Sequence, residues 1–95
     1  MRRAFMPHKF ELSSCRTNDI LHLKLLGEFD GSSACELVKK IKEDGAGASQ
    51  IIVDTTEVRS IHPFGRMVLQ NRLGQVSRKL IGLTFKGQHK NQFEL

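Results

Sequence analysis

The chain has 95 residues, 39% of them hydrophobic and 26% charged, with a net charge of +5. That length fits one domain with one core, and the composition excludes a disordered polar chain. No apolar run approaches the roughly 18 residues a membrane helix needs, and the opening "MRRAFMPHKF" has no apolar stretch behind its arginines, so a cytoplasmic location is expected.

In chain order, residues 9–15, "KFELSSC", alternate as a first strand, and "CRTND" punctuates a turn at Asn18-Asp19. Residues 20–26, "ILHLKLL", place Leu21, Leu23 and Leu25 on one face and His22 and Lys24 on the other. The two runs predict an antiparallel hairpin. In "GEFDGSSACELVKKIKEDGAG", Ala34, Leu37, Val38 and Ile41 repeat at helical spacing. Ser33 and Glu36 read as a capping box, and Gly45 and Gly47 end the helix. "IIV" at 51–53 reads as a short strand buried on both faces, as a central parallel strand would be.

A second helix is expected over 63–79, followed by a strand at 80–86 and a tail that holds a turn or short helix. Pro63 suits the first helical position, because the amide it lacks has no helical partner there. His62 then stands at the N-cap, and Gly65 lets the helix approach the sheet. At about 100° per residue, Leu69, Leu73, Val76 and Leu80 form the core stripe while Phe64 and Met67 point away from it. Two readings fit that pair: apolar groups tucked under a loop or the first helix, or a docking patch for a partner. The order β-β-α-β-α-β predicts an α/β fold with a mixed four-stranded sheet.

These residues resemble the STAS domain, named for sulfate transporters and anti-sigma-factor antagonists, over roughly residues 9–88 of a single domain spanning 1–95. "LKLLGEFDGSSACELVKKI" is similar to the family's strand, Gly-Glu-Leu-Asp turn and first helix. "IIVDTTEVRSIHPFG" is similar to its Leu-Asp-Leu-Ser strand and the Ile-Asp-Ser-Ser-Gly-Leu turn that follows. Ile61 and Gly65 match that turn; His62 replaces its Asp, Pro63 and Phe64 its serines, and Arg66 its Leu. The resemblance implies helices largely on one face of the sheet. In anti-sigma-factor antagonists a kinase phosphorylates the second serine and so breaks the partner complex. Phe64 has no hydroxyl, so that switch cannot operate at this position.

The resemblance implies a bacterial regulatory adaptor, non-enzymatic, a monomer or weak homodimer. Its partner would be an anti-sigma-factor kinase, a stress-signalling subunit or a transporter-complex subunit. Docking is expected through Asp30, Ser32, Ser33, Arg59, His62, Phe64, Arg66 and Met67. Ser33, Thr55, Thr56 and Ser60 are candidate phosphorylation sites, although a helix cap accounts for Ser33 and strand ends or turns for the threonines.

Charge supplies the alternative. Residues 58–95 hold seven Lys/Arg and one acid, a net of +6, against −1 for residues 1–57. Nucleic acid could be contacted by Arg66, Arg72, Arg78, Lys79, Lys86 and Lys90, or an anion or nucleotide held at the helix start beside Arg59, His62 and Arg66. His8, His22, His62 and His89 lack ligand spacing, and no phosphate loop or nucleophile motif occurs, so no metal, cofactor or catalytic residue is expected. Asp30 and Asp54 both fall at strand ends. Cys15 and Cys35 read as two small buried thiols.

Overall fold

The computed structural model describes residues 10–76 and 82–93. Strands β1 (Phe10–Thr17) and β2 (Ile20–Phe29) form the expected antiparallel hairpin. Its two-residue turn is Asn18-Asp19, with Asn18 in the left-handed region at φ 56°. Helix α1 (Gly31–Asp44) follows, then β3 (Gln50–Ile61), α2 (Pro63–Val76), β4 (Leu83–Lys86) and a short α3 (Lys90–Phe93). The sheet order is β1-β2-β3-β4, with β2, β3 and β4 parallel. This is the mixed four-stranded sheet the sequence predicts.

The core lies on one face of that sheet. Leu21, Leu23 and Leu25 of β2, with Ile51 and Val53 of β3, are buried beneath Ala34, Leu37, Val38 and Ile41 of α1 and Leu69 and Leu73 of α2. The outer residues His22 and Lys24 are exposed, as the alternation predicts. The expected contributions of Val76 and Leu80 to the core, and the expected end of the helix at 77–79, lie outside the described residues and side chains, whereas the last strand begins at Leu83 rather than at 80, after a turn at Gly82.

Three expectations need correction. β3 is twelve residues long, not three, and is not buried on both faces: Ile52 is only half-buried on the uncovered side. A strand that need not be apolar on both faces accommodates polar residues, which hides its length in "DTTEVRSI". The helix α1 begins earlier than the capping box implies: its N-cap is Asp30, whose Oδ1 accepts the Ser33 amide at 3.0 Å. Ser33 instead lies fully buried in the first turn. Both cysteines are exposed rather than buried, Cys15 on the uncovered face of the sheet and Cys35 on the outer side of α1.

β3 also runs beyond β4, which pairs only with residues 51–54. Beyond that point, side chains engage the backbone. The Thr56 amide donates to Asp54 Oδ1 at 2.9 Å, and Gln88 Nε2 donates to the Thr56 carbonyl at 3.4 Å. The buried Thr55 hydroxyl donates to the Lys86 carbonyl at 2.8 Å.

The tail closes the core. Phe93 of α3 is 1% exposed, edge-on to Phe29 with centroids 4.8 Å apart and stacked on Phe85 at 5.6 Å. Such aromatic contacts add to the area each ring buries. Replacing Phe93 with Ala is expected to cost about 3 kcal/mol or more, read as a lower denaturant midpoint. An unchanged midpoint would mean that the tail does not close the core.

Candidate functional site: the edge shared by two helix starts

Because β2 and β3 are parallel, their carboxyl ends reach the same edge of the sheet, and so do the helices they feed. Open α/β sheets place binding surfaces at this edge. Here the two turns are locked together. The His62 amide donates to the Phe29 carbonyl at 2.8 Å, and the His62 carbonyl accepts the Arg66 amide at 3.1 Å, opening α2. His62 therefore holds the N-cap position and Pro63 the first helical position, as expected.

Two glycines set the distance between the turns. A Cβ on Gly65 would stand 2.6 Å from the Asp30 carbonyl carbon, so only glycine admits this approach. Gly65 lets α2 come close, and what it meets is the turn before α1 rather than a strand. A Cβ on Gly31 would stand 2.8 Å from Cε2 of Phe64. The Phe64 ring thus lies over a bare stretch of backbone, and it remains 62% exposed. Met67, one turn on, is 54% exposed. The outward projection of this pair holds, and neither is tucked beneath another element.

The other predicted site residues divide by exposure. Ser32, Arg59, His62 and Arg66 are exposed, and Asp30 is half-buried. Ser33 stands beneath them, its hydroxyl oxygen 3.1 Å from both the Glu28 carbonyl oxygen and Asp30 Oδ1, which share its single proton. It fixes the Asp30 carboxylate from below and offers no surface of its own. Of the four hydroxyls considered for phosphorylation, Ser33 and Thr55 are fully buried in the folded domain. Neither holds the plainer role expected of it: Asp30, not Ser33, is the cap, and Thr55 lies in the middle of β3 rather than at a strand end or turn. Thr56 and Ser60 are exposed on β3.

The two acids at apparent strand ends do not form a pair. Asp30 caps α1, whereas Asp54 lies within β3 on the uncovered sheet face, in register with Lys24 on one side and Lys86 on the other. The basic residues are likewise dispersed: Arg66 and Arg72 on α2, Lys86 on β4, Lys90 on α3, with Arg78 and Lys79 outside the described residues. Among the described residues, no cluster of His, Cys, Asp or Glu has the arrangement to hold a metal ion. No described helix is long and apolar enough to cross a membrane.

No family model and no curated protein matches the chain. Solved structures do. The anti-sigma factor antagonist SpoIIAA in its unphosphorylated form aligns at 16% identity and a TM-score of 0.57, over 81% of this chain and 71% of that one. A protein from Shewanella loihica PV-4, of the DUF3478 family with a SpoIIAA-like fold, aligns at 15% identity and 0.63, over 96% and 76%. Mglu aligns at 14% identity and 0.71, over 82% of this chain, which spans only 20% of Mglu. At these identities the likeness is one of fold: the chain has a SpoIIAA-like architecture.

Two outcomes follow from the geometry. Gly65→Ala should destabilise the domain by about 1–3 kcal/mol in chemical denaturation, although alanine is the better helix former, because its methyl meets fixed backbone. A gain in stability would show that the two turns are not in contact. At Asp54, burial raises the carboxyl pKa, but hydrogen bonds from Thr56 and the charges of Lys86 and Lys24 hold it below its ordinary 3.8. Its folded pKa is depressed, so its contribution to stability is present above pH 4 and is lost as pH falls through the folded value. Asp54→Asn should flatten the acid side of a stability–pH profile; a profile identical to that of the parent chain would refute this.

Proposed function

We propose that this SpoIIAA-like domain is a non-catalytic regulatory adaptor that binds a protein partner through the shared edge of its two helix starts. The exposure of Phe64 and Met67 carries the reading. Folding tends to bury a phenylalanine, and this one is held outward on a glycine platform. Apolar anchors set among polar groups are the usual centre of a protein interface. Arg59, His62, Arg66, Ser32 and the Asp30 carboxylate supply the surround, with Ser33 holding Asp30 in place.

The partner classes that fit are those the STAS resemblance implies: an anti-sigma-factor kinase, a stress-signalling subunit or a transporter-complex subunit. Binding at this edge is not controlled by phosphorylation of residue 64, because Phe64 has no acceptor oxygen. The contact is constitutive or is switched elsewhere, and Thr56 and Ser60 are the accessible hydroxyls among those considered.

Replacing Phe64 with Asp tests this directly. The side chain is mostly in solvent, so the melting temperature should stay close to that of the parent chain. Capture of the bound partner should fall by about thirtyfold or more, the scale of one aromatic anchor. Undiminished capture by a folded Phe64→Asp chain would remove the basis of the proposal.

A further inference from the structure

The outer side of α2 continues past the helix start. Phe64, Met67, Asn71 and Gly74 stand at i, i+3, i+7 and i+10, within an arc of about 80° at the helical period. The buried Leu69 and Leu73 occupy the opposite side. All four outer residues are exposed. The spacing is that of a helix-packing seam, with three and four residues between successive contacts.

Gly74 is the unexplained member. Glycine within a helix is unfavourable, and among the described residues no atom beyond its own helix backbone and chain neighbours lies within 4 Å of where its Cβ would stand. The other interior glycine of this helix, Gly65, is required by the Asp30 backbone, whereas nothing within the described chain requires Gly74. A bare backbone patch on an outer helical face admits the close approach of another backbone.

We infer that the occupant of this seam is an acid-bordered amphipathic helix of the partner protein, lying along α2 with its apolar side on Phe64 and Met67 and its closest approach at Gly74. The inference rests on the docking reading above and specifies its geometry. Charge selects the occupant. The segment from Pro63 to Val76 contains no acid, and the exposed Arg66 and Arg72 border the seam on its two sides, each about 80° from its nearest member. A second copy of this chain would bring these arginines against their own kind, with no carboxylate on either helix, which opposes self-pairing. A helix carrying Asp or Glu beside its apolar stripe meets both borders favourably.

Two measurements on the full chain test this. With p-benzoylphenylalanine in place of Asn71, cross-links should map to a helical partner segment with acidic residues bordering its apolar positions. Gly74→Leu should raise the melting temperature, because leucine favours the helix, yet lower capture of the same partner by about tenfold. Stability and binding then move in opposite directions, which misfolding cannot produce. Cross-links to a second copy, to a strand or loop, or to a helix with basic borders would overturn the inference. So would an absence of cross-links, or unchanged capture by Gly74→Leu. If Phe64→Asp abolishes capture while Gly74→Leu does not, only the helix geometry falls. If neither variant affects capture, the docking site falls with it.

Discussion

The backbone hydrogen bond from the His62 amide to the Phe29 carbonyl is the joint on which the working edge of this domain depends. It closes the last rung between β2 and β3, at the residues where both strands give way to helices. Parallel pairing alone brings the strand ends to one edge, and this bond fixes how far apart the two turns stand. With that distance set, Gly65 must be glycine, and Phe64 is delivered onto Gly31. The exposed ring is thus a product of the joint and of two missing side chains.

Beneath this joint the polar groups are internally satisfied. Asp30 caps α1 through the Ser33 amide, and the single proton of the Ser33 hydroxyl is shared between Asp30 Oδ1 and the Glu28 carbonyl. A network of this kind holds a turn in one conformation, since each member lost leaves another buried group unpaired. The edge proposed for docking therefore has a rigid floor. A preformed surface loses less conformational freedom on binding than one that must be ordered. The exposed Phe64 is thus held on a fixed base.

Much of this was legible before the structure. Alternation in "ILHLKLL" and the helical spacing from Ala34 to Ile41 identify elements because burial on one face imposes a period. The same reasoning turned Phe64 and Met67 outward. It failed where burial imposes no period. β3 is half polar on its uncovered side, so twelve residues looked like three. The N-cap was misplaced because Asp30 and Ser33 are both good caps three residues apart, and only the backbone decides between them. Phe93, in a tail without pattern, gave no sign that it would reach the core. The seat beneath Phe64 was hidden for another reason: Gly31 acts by what it lacks, across two turns distant in sequence.

The overhang of β3 beyond β4 bears on how the protein behaves when crowded. Unpaired strand edges recruit other strands and seed aggregation. Early in the overhang, the backbone of Thr56 is engaged on both sides, since Asp54 takes its amide and Gln88 its carbonyl. A strand arriving to extend the sheet from β4 along β3 must first break both bonds. Two ordinary polar side chains thereby occupy, at this point of the overhang, the backbone groups that such a strand would need.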